Sequence, residues 1–74
     1  MTRRDTVTMT ATVLQVCECD LLVCDTCNQQ EVLVHTSQAH CFAVGERVCI
    51  EYNGVMTRSI PPQITATCIY PMGC

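Results

Sequence analysis

The sequence predicts an all-β domain folded as a small five-stranded barrel, and three observations predict it. Apolar residues recur at a period of two in several short runs, first as Val7, Met9, Ala11 and Val13 set against Thr6, Thr8, Thr10 and Thr12. Turn-forming residues separate these runs at short intervals. No stretch holds a helical pattern beyond one turn. Gln29 to Gln38 comes nearest, but Val32, Val34, His35 and Thr36 are poor helix formers.

Thr6 to Val16 is a long first strand. Its apolar face changes near Val13-Leu14, where Leu14 and Val16 take over the apolar role, which predicts a β-bulge or strong bend. Cys17-Glu18-Cys19-Asp20 reads as a tight polar turn, and Leu21 to Asp25 as a second strand closing a hairpin. Thr26 to Gln30 is a further turn, and Glu31 to Thr36 a third strand. Ser37 to Phe42 lacks periodicity and fits a short helical turn, after which Gly45 supplies a permissive backbone before the fourth strand. There Val48, Ile50 and Tyr52 alternate with Cys49 and Glu51, and the strand breaks at Asn53-Gly54. A polar connection ends in Pro61-Pro62, whose missing N–H groups mark the start of the fifth strand, Ile64 to Ile69. Tyr70 to Cys74 is read as a tail. Five strands, the first long and bent, with a loop between the third and fourth, match the OB architecture. The expectation is one OB-like domain over residues 1–74, with its core at about 6–69.

At 74 residues the chain is near the lower limit for folding alone, where disulfides or metals often serve as staples. Eight cysteines and only three aromatics leave Val, Ile, Leu and Met to build the core, a composition that suits strands. Tyr52 is expected in that core and Phe42 at one end of the barrel. The net charge of −3, with four arginines and no lysine, counts against a general nucleic-acid binder, although Arg3 and Arg4 form a local basic patch. OB domains that bind single strands stack bases on aromatics of the second and third strands, and L-L-V-C-D and E-V-L-V-H-T contain no aromatic and no arginine. No apolar run approaches the roughly 18 residues needed to span a bilayer. The alternating threonines after Arg4 are a strand pattern and not the apolar region of a leader. The expected compartment is the cytoplasm, the alternative being a secreted or surface-anchored protein.

Cys17, Cys19, Cys24 and Cys27 place four thiols within eleven residues, a soft donor set of the number that structural zinc takes. Convergence is the difficulty. With a turn centred on Cys19-Asp20, Cys17 and Cys24 are diagonal neighbours, while Cys27 lies at the far end of the second strand. Cys24-Asp25-Thr26-Cys27 also has thioredoxin-like spacing, but that chemistry relies on a helix N-terminus and no helix starts here. Against both stands the reading of these thiols as small apolar fillers and free surface groups in a reducing compartment. A disulfide scaffold is the third reading. Cys41, Cys49, Cys68 and Cys74 have no motif spacing. His35 and His40 could join Cys41 at a metal, and are otherwise one surface and one loop histidine. The carboxylates are read as solubilising charge, and no nucleophile–base–acid set is visible.

The order A-T-V-L-Q-V, L-L-V-C-D, E-V-L-V-H-T and V-G-E-R-V-C-I-E-Y resembles the strand layout of translation-initiation-type OB domains. The segment from Gly45 to Ala66 more closely resembles a family of small bacterial OB-like domains of unknown function, which carry V-x-V-x-Y/F-x-G followed by S-x-P-x-Q. Gly45, Val48, Ile50, Tyr52, Gly54, Ser59, Pro61, Gln63 and Ala66 occupy those positions. The resemblance implies a fold and a bacterial setting but no activity, and it departs in one respect: family members are often borne on lipoproteins and are not cysteine-rich. The expected function is a non-enzymatic binding or interaction module for a protein or small ligand, with no cofactor unless zinc. The alternatives are a single-stranded nucleic-acid binder and a zinc-binding or thiol-redox protein. Exposed edges of a partly open barrel would also allow two copies to pair.

Overall fold

A computed structural model describes residues 6–72. Arg3, Arg4 and Cys74 lie outside the described residues. The chain forms five strands, β1 (Val7–Val16), β2 (Asp20–Asp25), β3 (Glu31–His35), β4 (Arg47–Tyr52) and β5 (Gln63–Pro71), with one 3-10 turn at Ala39–Cys41. They close into a barrel in the order β1-β2-β3-β5-β4, consistent with a small OB-like barrel. All neighbours are antiparallel except β3 and β5, which run parallel over Leu33–His35 and Gln63–Thr65.

Period-two alternation builds the interior. Met9, Ala11 and Val13 from β1, Leu21 and Val23 from β2, Val32 and Val34 from β3, and Val48, Ile50 and Tyr52 from β4 are all buried. Ile64 and Ile69 from β5 join them, with Ala39 and Phe42 from the connection after β3. Tyr52 and Phe42 are buried, as their sequence context predicts.

Two bulges bend the long strands. In β1 the register slips between Val13 and Gln15, so Leu14 is the extra residue. The strand thereby pairs with β4 over Val7–Thr12 and with β2 over Ala11–Val16. The predicted change of face is present, with one correction. Val16 packs against the core, but Leu14 stays exposed, because a bulged residue faces no partner. In β5 the pairing jumps from Cys68 opposite Glu51 to Ala66 opposite Tyr52, making Thr67 the extra residue. Its hydroxyl donates to the Glu51 carbonyl at 3.0 Å. Each bulge spaces successive core-facing residues by three, Val13 to Val16 and Ala66 to Ile69.

Two further boundaries differ from expectation. Tyr70 and Pro71, read as tail, continue β5, paired with Cys49 and Val48. The β1–β2 turn is centred on Glu18-Cys19, since Val16 faces Leu21 and the Cys17 N–H donates to the Asp20 carbonyl at 2.9 Å. Every strand has two neighbours in the ring. Among the described residues, Val7–Met9 and Cys68–Pro71 pair with β4 alone.

Candidate functional site

His35 ends β3 and directly faces Asp20, the first residue of β2. Because Val34 is fully buried, alternation turns His35 outward. The parallel pairing of β3 with β5 brings Gln63 alongside. Nδ1 of His35 lies 2.6 Å from Oδ1 of Asp20, and Nε2 lies 2.9 Å from Oε1 of Gln63. Both ring nitrogens thus face oxygen acceptors, an arrangement that favours the doubly protonated, imidazolium form. The hydrogen bond to Gln63, then that to Asp20, raises His35 above its ordinary 6.5 against the opposing effect of burial, with the negative charge of Asp20 adding to the rise.

His35 and Gln63 of this trio line a groove of about 310 Å³, together with Asn53, Val55, Thr57, Ile64 and Thr65. The β4–β5 connection that forms its far wall is tied down along its length. Asn53 Oδ1 accepts from the Val55 N–H at 3.1 Å, just before the left-handed Gly54 at φ 89°. Thr57 N–H donates to the Gln63 carbonyl at 3.0 Å, and Gln63 N–H returns to Thr57 Oγ1 at 2.9 Å. Ser59 bridges Thr57 at 2.7 Å and the Pro61 carbonyl at 2.9 Å. The Pro62 carbonyl accepts from Leu33 N–H at 2.9 Å, which seats the start of β5 against β3. The proline-ended connection, expected as a rigid link, is held by this series of hydrogen bonds. A second depression, of about 400 Å³, lies across the same loop between Gln29–Glu31 and Ser59–Pro62, with Ile60 standing 97% exposed at its rim.

The groove offers amides and hydroxyls over an apolar floor, with His35 its one ionisable lining residue. Such a surface suits ligands that give and take neutral hydrogen bonds. Its outer wall is the loop between the fourth and fifth strands.

The cysteines are distributed otherwise. Cys17 and Cys19 sit at the β1–β2 turn, and Cys24 lies opposite Thr12 on β1 and Glu31 on β3. Cys17 and Cys24 are therefore not the diagonal neighbours expected, because the turn is centred one residue earlier. Cys27 lies in the β2–β3 turn, its N–H held by Asp25 Oδ1 at 2.8 Å. The two turns stand at opposite ends of β2, about 17 Å apart at strand rise. All seven described cysteines are free thiols. Among the described residues no group of three or more His, Cys, Asp or Glu is placed to hold a metal. His40 and Cys41 are exposed in the 3-10 turn.

A smaller polar cluster lies on the outer face of β4 and β5. The Cys49 thiol donates to Tyr70 Oη at 3.5 Å, and the Tyr70 hydroxyl donates to Glu51 Oε2 at 3.1 Å. These bonds, the one to Cys49 foremost, push the Tyr70 phenol above its ordinary range. With Phe42 and Tyr52 buried, Tyr70 is the one aromatic exposed to solvent, and it lies off the β2–β3 face.

Sequence reading missed the His35–Asp20–Gln63 trio, treating His35 as an isolated surface residue and Asp20 as solubilising charge. The Asp20–His35 half follows from hairpin register once the turn is placed correctly. Gln63 has no local signal, because it arrives through the β3–β5 pairing. No protein-family model, no curated protein and no solved structure matches the chain. No helix among the described residues is long and apolar enough to cross a membrane.

Proposed function

We propose that this chain is a non-catalytic OB-like binding module, of the small bacterial kind it resembles, that takes an extended neutral peptide segment in the groove between β3, β5 and the β4–β5 loop. One observation carries the reading: Asn53, Thr57, Gln63 and Thr65 line an open groove floored by Ile64 and walled by a hydrogen-bonded loop. A wall held in place before binding spares the ligand the entropy of ordering it. The peptide backbone supplies the alternating donors and acceptors that such a lining complements. Phosphate-rich ligands fit less well, because Asp20 stands beside His35 and no arginine lines the groove. A binding role rather than a catalytic one is supported by His35 Nε2, the nitrogen a general base would use, being held by Gln63.

The test is selection of displayed peptides on the immobilised protein, with Thr65→Arg as the counter-selected control. Thr65 is exposed, so arginine there fills the groove without entering the core. Peptides that enrich on the native chain and fail on Thr65→Arg support the reading. Enrichment that ignores Thr65→Arg overturns it. So does tight, salt-dependent capture of an oligothymidylate with no peptide enrichment, which would move the function to single-stranded nucleic acid.

A further inference from the structure

Gln63 presents two chemically opposite ends. Its Oε1 is engaged by His35 Nε2 at 2.9 Å, and its side-chain NH2 has no hydrogen-bond partner among the described residues. Gln63 also lines the groove, so its unengaged end is what a ligand meets. Its orientation depends on His35. While Nε2 carries a proton, the carbonyl end of Gln63 is the complementary partner. When that proton leaves to water, Nδ1–H remains on Asp20 and Nε2 becomes a lone pair facing the oxygen lone pairs of Gln63. Rotation of the Gln63 amide by half a turn removes the clash, placing NH2 on Nε2 and turning the carbonyl outward.

We propose that Gln63 is the polarity-determining residue of the groove and that the protonation of His35 sets it: the charged ring makes the groove a hydrogen-bond donor at this point, and the neutral ring makes it an acceptor. The ligand chemistry follows. A carbonyl or carboxylate oxygen is matched to the acid form, and an N–H or hydroxyl to the neutral form. The proposal rests on the groove being the binding site, but the switch itself requires no ligand.

The surroundings leave His35 in control. Asp20 on β2 is the charged group that acts on it. From β5 and the β4–β5 loop the groove is lined by Asn53, Val55, Thr57, Gln63, Ile64 and Thr65, none of them charged. Arg58, the cation of that loop, is not among the lining residues. Glu18 and Cys19 occupy the neighbouring turn, whose Cys19 carbonyl accepts the Thr36 N–H at 3.0 Å. With 42% of the His35 side chain exposed, its proton exchanges freely with solvent.

The experiment is a pH titration of the isotopically labelled full chain by NMR, without ligand, following the His35 ring nitrogens and the Gln63 side-chain NH2 together. The expected result is one shared midpoint for His35 Nε2 and the Gln63 amide, with the Gln15 and Gln38 amides flat through it. In Gln63→Glu a fixed acceptor holds the charged ring, and the His35 midpoint moves up by about 1 pH unit. In Gln63→Met it falls back towards 6.5, the ordinary value. A Gln63 amide that stays flat while His35 titrates overturns the proposal, as do His35 midpoints that coincide in Gln63→Glu and Gln63→Met. Failure of peptide selection would leave this result standing and would sink the binding reading alone.

Discussion

His35 gives the clearest residue-scale consequence. Its raised value means that its contribution to stability is fully present below about 6.5, the unfolded value, and is lost as pH rises through the folded one. Replacing it by glutamine therefore costs more at pH 5.5 than at pH 8.5. With 42% of the side chain exposed the pair is screened, so the difference is less than about 1 kcal/mol, read from urea unfolding at the two pH values. Gly45 makes a different case. It sits at φ 91° with nothing within 4 Å of where a Cβ would stand, and its N–H donates to the Val13 carbonyl at 2.8 Å. Gly45→Ala is therefore expected to cost about 1–2 kcal/mol from backbone conformation alone, without a steric clash. A larger loss in the same unfolding assay would point to crowding that the geometry does not contain.

At the scale of elements, the two bulges decide how an odd number of steps in β1 and β5 can keep every core residue facing inward. Leu14 is exposed, so Leu14→Gln should change stability by no more than about 0.5 kcal/mol. Ile50→Ala, at a fully buried site on β4, should cost about 2–5 kcal/mol. Deleting Leu14 altogether is a sharper test. Deletion leaves Val13 opposite Val23, Gln15 opposite Leu22 and Val16 opposite Leu21 in unbroken alternation, so it removes the residue that bends β1 between its two partners and takes nothing from the core. The deletion is expected to lower the urea midpoint while unfolding stays cooperative, because an unbent β1 strains closure of the ring, whereas a deletion variant that unfolds at the native midpoint would show that β1 closes the ring without the bulge. The first bulge was legible in the sequence because Val13-Leu14 breaks a clean alternation. The second was not, since Ala66-Thr67-Cys68 mixes small and polar residues that fit either face.

For the whole molecule, closure places the thiols on a graded surface. Cys19, Cys27, Cys41 and Cys68 are exposed, and Cys17, Cys24 and Cys49 half-buried. Brief treatment of the folded protein with iodoacetamide, read by peptide mass spectrometry, should label the first four ahead of the other three. Cys49 should be slowest of all, since its thiol also donates to Tyr70. Equal labelling at all seven would contradict the packed β4–β5 face. Loss of label at Cys17, Cys19, Cys24 and Cys27 on adding zinc would restore the metal-bound reading of that cluster.

The sequence by itself determined what alternation and turn chemistry can encode locally: five strands, the bend in β1, the short helical turn, the buried Tyr52 and Phe42, and the stiff entry to β5. These are short-range properties, set by side-chain period, proline geometry and glycine freedom. Tertiary structure decided which strands became neighbours, and with that the site. Gln63 is 28 residues from His35 in sequence and 2.9 Å from it in space, because β5 returns parallel to β3. The same closure holds Cys17 and Cys27, ten positions apart in the chain, at opposite ends of β2. Proximity along the chain suggested a thiol cluster, whereas strand pairing across the barrel assembled a histidine, a carboxylate and an amide at the rim of a groove.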